Sequence, residues 1–113
     1  MPNPVVHFEV LGRDADNLKR FFKDTFEWEM ESVMPTYAMV RPGEGIAGGV
    51  GAAPDGGPGQ VTFYVEVDDL QAALDKVAAN GGSTVAPPMD VPGGPSIALF
   101  ADPEGHVVGL VKG

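Results

Sequence analysis

The 113-residue chain contains no cysteine. That excludes disulfides, thiolate metal centres and cysteine nucleophiles together, and leaves packing to hold the fold. Long apolar runs are missing too: nothing approaches the roughly 20 residues that cross a bilayer. The opening Met1-Pro2-Asn3-Pro4 has neither the basic start nor the apolar middle of a signal peptide, so a soluble, cytoplasmic protein with no membrane partner is expected. Positive charge is scarce, with 7 Lys and Arg against 16 Asp and Glu and a formal charge of -9. Such a field repels phosphate backbones, so no nucleic acid is expected; a cationic or neutral small molecule suits it better.

What is present reads as one folded domain spanning 1–113. The 43% hydrophobic fraction suits a globule, and a chain of this length buries about two-thirds of its unfolded surface. Self-association would add to that.

The plan is organised around Val61-Thr62-Phe63-Tyr64-Val65-Glu66-Val67, which runs into Asp68-Asp69 and then a helix. Phe63, Val65 and Val67 alternate with Thr62, Tyr64 and Glu66, the period of a strand with one apolar face and one face free to line a site. Val6-His7-Phe8-Glu9-Val10, followed by Asp14, Asp16 and a helix, repeats the device. The chain therefore reads as one module used twice, about 4–53 and 60–113.

In the first module Asp14 or Asp16 is placed to cap a helix, because a short carboxylate accepts from first-turn amides. Leu18, Phe21, Phe22, Thr25 and Phe26 form its apolar stripe, leaving Lys19, Arg20, Lys23 and Asp24 outward. Strands are expected over 28–34, 36–40 and 46–51. Gly43-Glu44-Gly45-Ile46-Ala47-Gly48 matches G-x-G-x-x-G, but no helix opens at its last glycine, so it reads as a hairpin turn. The Gly- and Pro-rich stretch 52–59 reads as a flexible linker. In the second module Leu70, Leu74, Val77 and Ala78 make a helical stripe stopped at Asn80-Gly81-Gly82, and strands are expected over 83–86, 95–101 and 106–111.

Three pieces in this order resemble the vicinal oxygen chelate superfamily, which includes glyoxalase I, extradiol dioxygenases, methylmalonyl-CoA epimerase, fosfomycin-modifying enzymes and bleomycin-resistance proteins. They are Asp14 to Trp28, with Phe22 and Glu27 where the family pattern has Tyr and Gly; Val65 to Leu70; and Phe100-Ala101-Asp102-Pro103-Glu104-Gly105. The resemblance implies an α+β fold of two βαβββ modules, their curled mixed sheets around a cavity and their helices on the outer faces. It also implies pairing as a homodimer.

Enzymes of this superfamily hold a divalent metal with His, Gln or Glu from the first and fourth strands of each module. The corresponding positions here are His7, Gly49, Thr62 and Gly109. A divalent site wants three or more nitrogen or oxygen donors, and only His7 is of the ligand type. No bound metal or other cofactor is therefore expected.

The site face then comprises His7 and Glu9 on one strand and Thr62, Tyr64 and Glu66 on its counterpart, with room left by Gly49, Gly51 and Gly109. Trp28, Tyr37 and Met39 are candidate walls. Core packing beside Phe26 competes for Trp28, and packing competes with ligation for His7. His106, after a turn glycine, reads as solvated. Three functions follow. The first is a metal-free dimer binding a cationic or aromatic compound. The second is a lyase, isomerase or dioxygenase with a displaced Zn, Ni, Mn or Fe at His7, in which His7 and Glu9 are the candidate catalytic groups. The third is an assembly module with a vestigial cavity.

Overall fold

The computed structural model describes residues 2–113. The elements run β1 (Val5–Gly12), α1 (Ala15–Phe26), β2 (Glu29–Met34), β3 (Tyr37–Arg41), β4 (Ala47–Ala52), β5 (Gln60–Val67), α2 (Leu70–Ala79), β6 (Ser83–Asp90), β7 (Ser96–Ala101) and β8 (Val107–Lys112). The βαβββ order thus appears twice, and the fold is α+β as expected. Two compact units form, one of His7–Thr62 and one of the residues up to Val6 with Phe63–Gly113.

In the first unit the strands lie in the order β2-β3-β4-β1. β2 and β3, and β3 and β4, pair antiparallel, whereas β1 and β4 pair parallel with Glu9 opposite Gly49. Asp14 caps α1 by accepting from the Asn17 amide at 3.0 Å. The core is Val10, Val40 and Val50, covered by Phe8, Leu18, Phe22, Trp28 and Met30. Only part of the helical stripe packs on it. Phe21 and Phe26 remain 56% and 55% exposed, whereas the Lys19 side chain, expected outward, is only 16% exposed and pairs with Asp16. A long aliphatic stem covers apolar surface while its ammonium stays wet, and the phenylalanines gain from ring contacts with each other instead.

The helix ends on Glu27, the one non-glycine with positive φ (+59°) among the described residues. Its N–H returns to the Lys23 carbonyl at 2.8 Å, so the left-handed conformation closes the last turn.

The stretch expected as a linker touches the end of β1 at two points. The Ala53 amide donates to the Gly12 carbonyl at 2.9 Å, and Gly59 (φ +76°) lies so near the main chain that a Cβ there would meet the Leu11 carbonyl oxygen at 1.8 Å. Only glycine permits that approach.

The other unit repeats the arrangement as β5-β8-β7-β6, with β5 and β8 parallel and Tyr64 opposite Gly109. Asp69 caps α2 through the Ala72 amide, and the Gly82 amide closes the far end on the Val77 carbonyl at 2.9 Å. Leu70 and Leu74 pack with Val67, Ala98 and Leu110. β6 runs four residues beyond the expected Ala86, through Pro87-Pro88. It pairs antiparallel with β7 across two bulges, where missing amide donors are tolerated.

Candidate functional site

Residues opposite each other on neighbouring strands project to the same face. Register aligns Glu9, Gly49 and Met39 across β1, β4 and β3, and pairs Tyr37 with Gly51. His7, Glu9, Tyr37 and Met39 therefore share one face of the first unit, and all are half-buried. The reverse face carries Val10, Val40 and Val50 and is the core.

Two glycines create a depression on the polar face, and Tyr37 lies in it. A Cβ on Gly49 would stand 1.7 Å from the Tyr37 Oη and 2.1 Å from its Cζ, and one on Gly51 would stand 2.7 Å from Cδ1. The ring thus reaches from β3 across β4 to β1. There its hydroxyl donates to Glu9 Oε2 at 3.0 Å, and its oxygen lies 3.2 Å from His7 Nε2. With the tyrosine proton committed to the carboxylate, the remaining contact requires His7 to donate through Nε2–H.

Burial pushes the His7 imidazole below its ordinary 6.5, and the Glu9 charge, which works the other way, does not overcome it. The neutral ring keeps Nδ1 as an acceptor. Chemically the row is a neutral imidazole, a phenol and a carboxylate in hydrogen-bonded series. It can hold a polar or cationic group at the Glu9 end and an aromatic one along the tyrosine face.

Trp28 sits on the core side, stacked on Phe22 with centroids 5.5 Å apart and planes 4° apart, and close to Phe8 and Phe26. Thr62 and Tyr64 are buried, at 5% and 8% exposure, whereas Phe63 on the supposed core face is 42% exposed. The reason for Tyr64 is local. Gly109 leaves a slot on β8 that its ring fills, so a Cβ there would meet Cδ2 at 2.3 Å. Glu66 is half-buried, its side chain against Gly113 and its main-chain amide on the Pro4 carbonyl at 2.9 Å. His106 is exposed but not merely solvated: its amide and Nδ1 each lie 2.9 Å from the Asp102 carboxylate. Those bonds, led by the main-chain amide, hold the Asp102 carboxyl below its usual range.

These residues do not fit a divalent metal at the family positions. The four positions offer one imidazole, one buried threonine and two glycines, and a tyrosine ring fills the space over each glycine. Among the described residues no group of three or more His, Asp or Glu is placed to hold an ion.

Two open surface grooves of about 500 Å³ lie outside the expected site. One, in the unit ending at Gly113, is bordered by Asp68, Asp69, Asp90 and Lys112; the other, in the first unit, by Glu27, Glu29 and Arg41. Sequence pattern had marked Asp68-Asp69 only as a helix entry, and nothing in the periodicity ties β6 to that spot.

A family profile, the Glyoxalase/Bleomycin resistance protein/Dioxygenase superfamily, matches residues 5–110. The chain belongs to that superfamily. A glyoxylase-like domain-containing protein of Didymella fabae is 30% identical over 111 residues, covering 87% of this chain and 84% of that protein. Among solved structures, a superfamily member from Vibrio splendidus aligns over 99% of this chain and 100% of its own with a TM-score of 0.68 at 16% identity. Methylmalonyl-CoA epimerase from Mycobacterium tuberculosis aligns over 96% and 86% with a TM-score of 0.71, also at 16% identity. At that identity the likeness is one of fold. No helix among the described residues is long and apolar enough to cross a membrane.

Proposed function

We propose that this glyoxalase-superfamily chain is a metal-free small-molecule-binding protein that works as a homodimer in the cytoplasm. Its ligand is cationic or aromatic and lies on the face made by His7, Glu9, Tyr37 and Met39. The observation that carries this reading is the Tyr37 hydroxyl joined to both His7 and Glu9 over Gly49, which presents an aromatic surface ending in a carboxylate. A net charge of -9 draws cations towards it. Thr62, Tyr64 and Glu66 serve in this reading by shaping the counterpart strand.

A thermal-shift screen with cationic aromatic, neutral aromatic and anionic compounds tests it. Binding raises stability by about 2.7 kcal/mol when ligand stands at a hundred times Kd. Shifts confined to the first two classes and lost in Tyr37→Ala support the reading. A flat screen, or shifts that survive in Tyr37→Ala, defeats it. Sedimentation at several concentrations tests the dimer.

The neutral imidazole in series with a phenol and a carboxylate supports a second reading, proton transfer at a carbon acid next to a carbonyl. Deuterium wash-in from D2O into such carbonyl compounds, abolished in His7→Ala, would favour this enzyme over the binding protein.

A further inference from the structure

Two independent places in the molecule show the same substitution. In each unit the first and fourth strands run parallel and in register, and a glycine on the fourth strand sits opposite the site face: Gly49 opposite Glu9, and Gly109 opposite Tyr64. In each unit a tyrosine ring then occupies the volume that any side chain at that glycine would need. Tyr37 does so from the third strand and Tyr64 from the first, with would-be contacts of 1.7 Å and 2.3 Å. In the first unit the intruding ring also places a hydroxyl within hydrogen-bond distance of both potential donors nearby, His7 at 3.2 Å and Glu9 at 3.0 Å.

We infer that Tyr37 is a built-in substitute for a metal ion: its ring takes the space of the missing fourth-strand ligand and its hydroxyl takes the place of the cation between His7 and Glu9. A cation would draw the imidazole and the carboxylate together by charge; the phenol joins them by one bond donated and one accepted. It follows that the obstacle to ion binding is the tyrosine ring and the absent side chain at 49, and that His7 and Glu9 remain competent donors underneath. The inference does not depend on the chain binding a small molecule.

The test uses cobalt(II), whose visible absorption reports coordination, with the full chain dialysed to remove unbound ion. The wild type should retain no cobalt. Tyr37→Ala combined with Gly49→Glu opens the space and supplies a third donor beside His7 and Glu9, enough for a divalent site. It should gain stoichiometric cobalt with a new visible band, and His7→Ala on that background should abolish both. Stoichiometric, His7-dependent cobalt in the wild type would overturn the inference, as would a folded double variant that stays colourless. Should the double variant fail to fold, Tyr37→Ala alone decides. With the ring gone its cobalt affinity should rise above that of the wild type and fall again in Tyr37→Ala/His7→Ala, and equal affinities in all three chains would overturn the proposal. A wild type that binds no organic ligand while the double variant binds cobalt defeats the proposed function and leaves this inference standing.

Discussion

Gly49→Ala is the sharpest perturbation of this protein, because one added methyl group is set directly against the candidate site. The new Cβ would lie 1.7 Å from the Tyr37 hydroxyl and 2.1 Å from Cζ, far inside contact distance, so the ring must leave. Leaving breaks the bond to the Glu9 carboxylate, worth about 1.5–3 kcal/mol as a charged hydrogen bond, and the one to His7, worth about 0.5–1.5 kcal/mol. All three groups are only half-buried, so water recovers part of this, and a loss of about 2 kcal/mol is expected. Reckoned from the steric side, overpacking costs about 1–3 kcal/mol, the same range. The assay is urea unfolding followed by the fluorescence of Trp28, the single tryptophan. The decisive control is the same substitution in a Tyr37→Ala background. With no ring to displace, the added methyl should be neutral or stabilising by up to about 1 kcal/mol, since glycine is entropically costly in a strand. A loss below about 0.5 kcal/mol in the wild-type background, or an equal loss in both, would refute the reasoning that Tyr37 fills this space.

Further outcomes follow from other sites. Glu27 holds a left-handed φ of +59° at the end of α1; Glu27→Gly should stabilise by about 1 kcal/mol, and a lowered Tm would show that its side chain contributes more than its strain costs. The His7 imidazole titrates below 6.5 when folded, so the unfolded chain binds more protons as pH falls through that value. Stability is then full above pH 6.5 and declines as pH falls towards the depressed folded value, and the slope should flatten in His7→Asn; an unchanged slope would exclude His7 as its source. Leu74, 2% exposed in the α2 core, should lose about 2–5 kcal/mol on Leu74→Ala, read by denaturant midpoint. Asp102 owes its lowered pKa chiefly to the His106 main-chain amide, so in His106→Ala an NMR titration should still find it below the usual carboxylate range; a full return would assign the effect to the imidazole instead.

Much of the architecture was legible in the residues. Alternation in Val6–Val10 and Val61–Val67, the aspartates ahead of each helix, and the Asn80-Gly81-Gly82 stop are local signals; of Asp14 and Asp16 it is Asp14 that caps α1, and α2 ends at Asn80. The hairpin reading of 43–48 held for the same reason: Gly43 and Gly45 both adopt φ of +91° between antiparallel β3 and β4. Less local features were not legible. Alternation says that two sets of side chains face opposite ways but not which is covered: Phe63, on the apolar set, is 42% exposed while Tyr64 is 8% exposed. The extension of β6 through Pro87-Pro88 goes with its place at a sheet edge among the described residues, paired to β7, which no propensity encodes.

The sequence by itself determined the class and the deficit. Period-two strands and two amphipathic helices lead to one module used twice, and the family resemblance adds the α+β class and implies ligand positions at which residues 49 and 109 are glycine. What those vacancies mean was decided by tertiary structure. Parallel pairing of β1 with β4 and antiparallel pairing of β4 with β3 bring residues 9, 49 and 39 into line. A tyrosine 12 residues away in sequence can then lie across the glycine and bond to a strand 28 residues distant. Strand register, set by long-range hydrogen bonds and not by composition, decides that Tyr37 lies over Gly49 and meets Glu9.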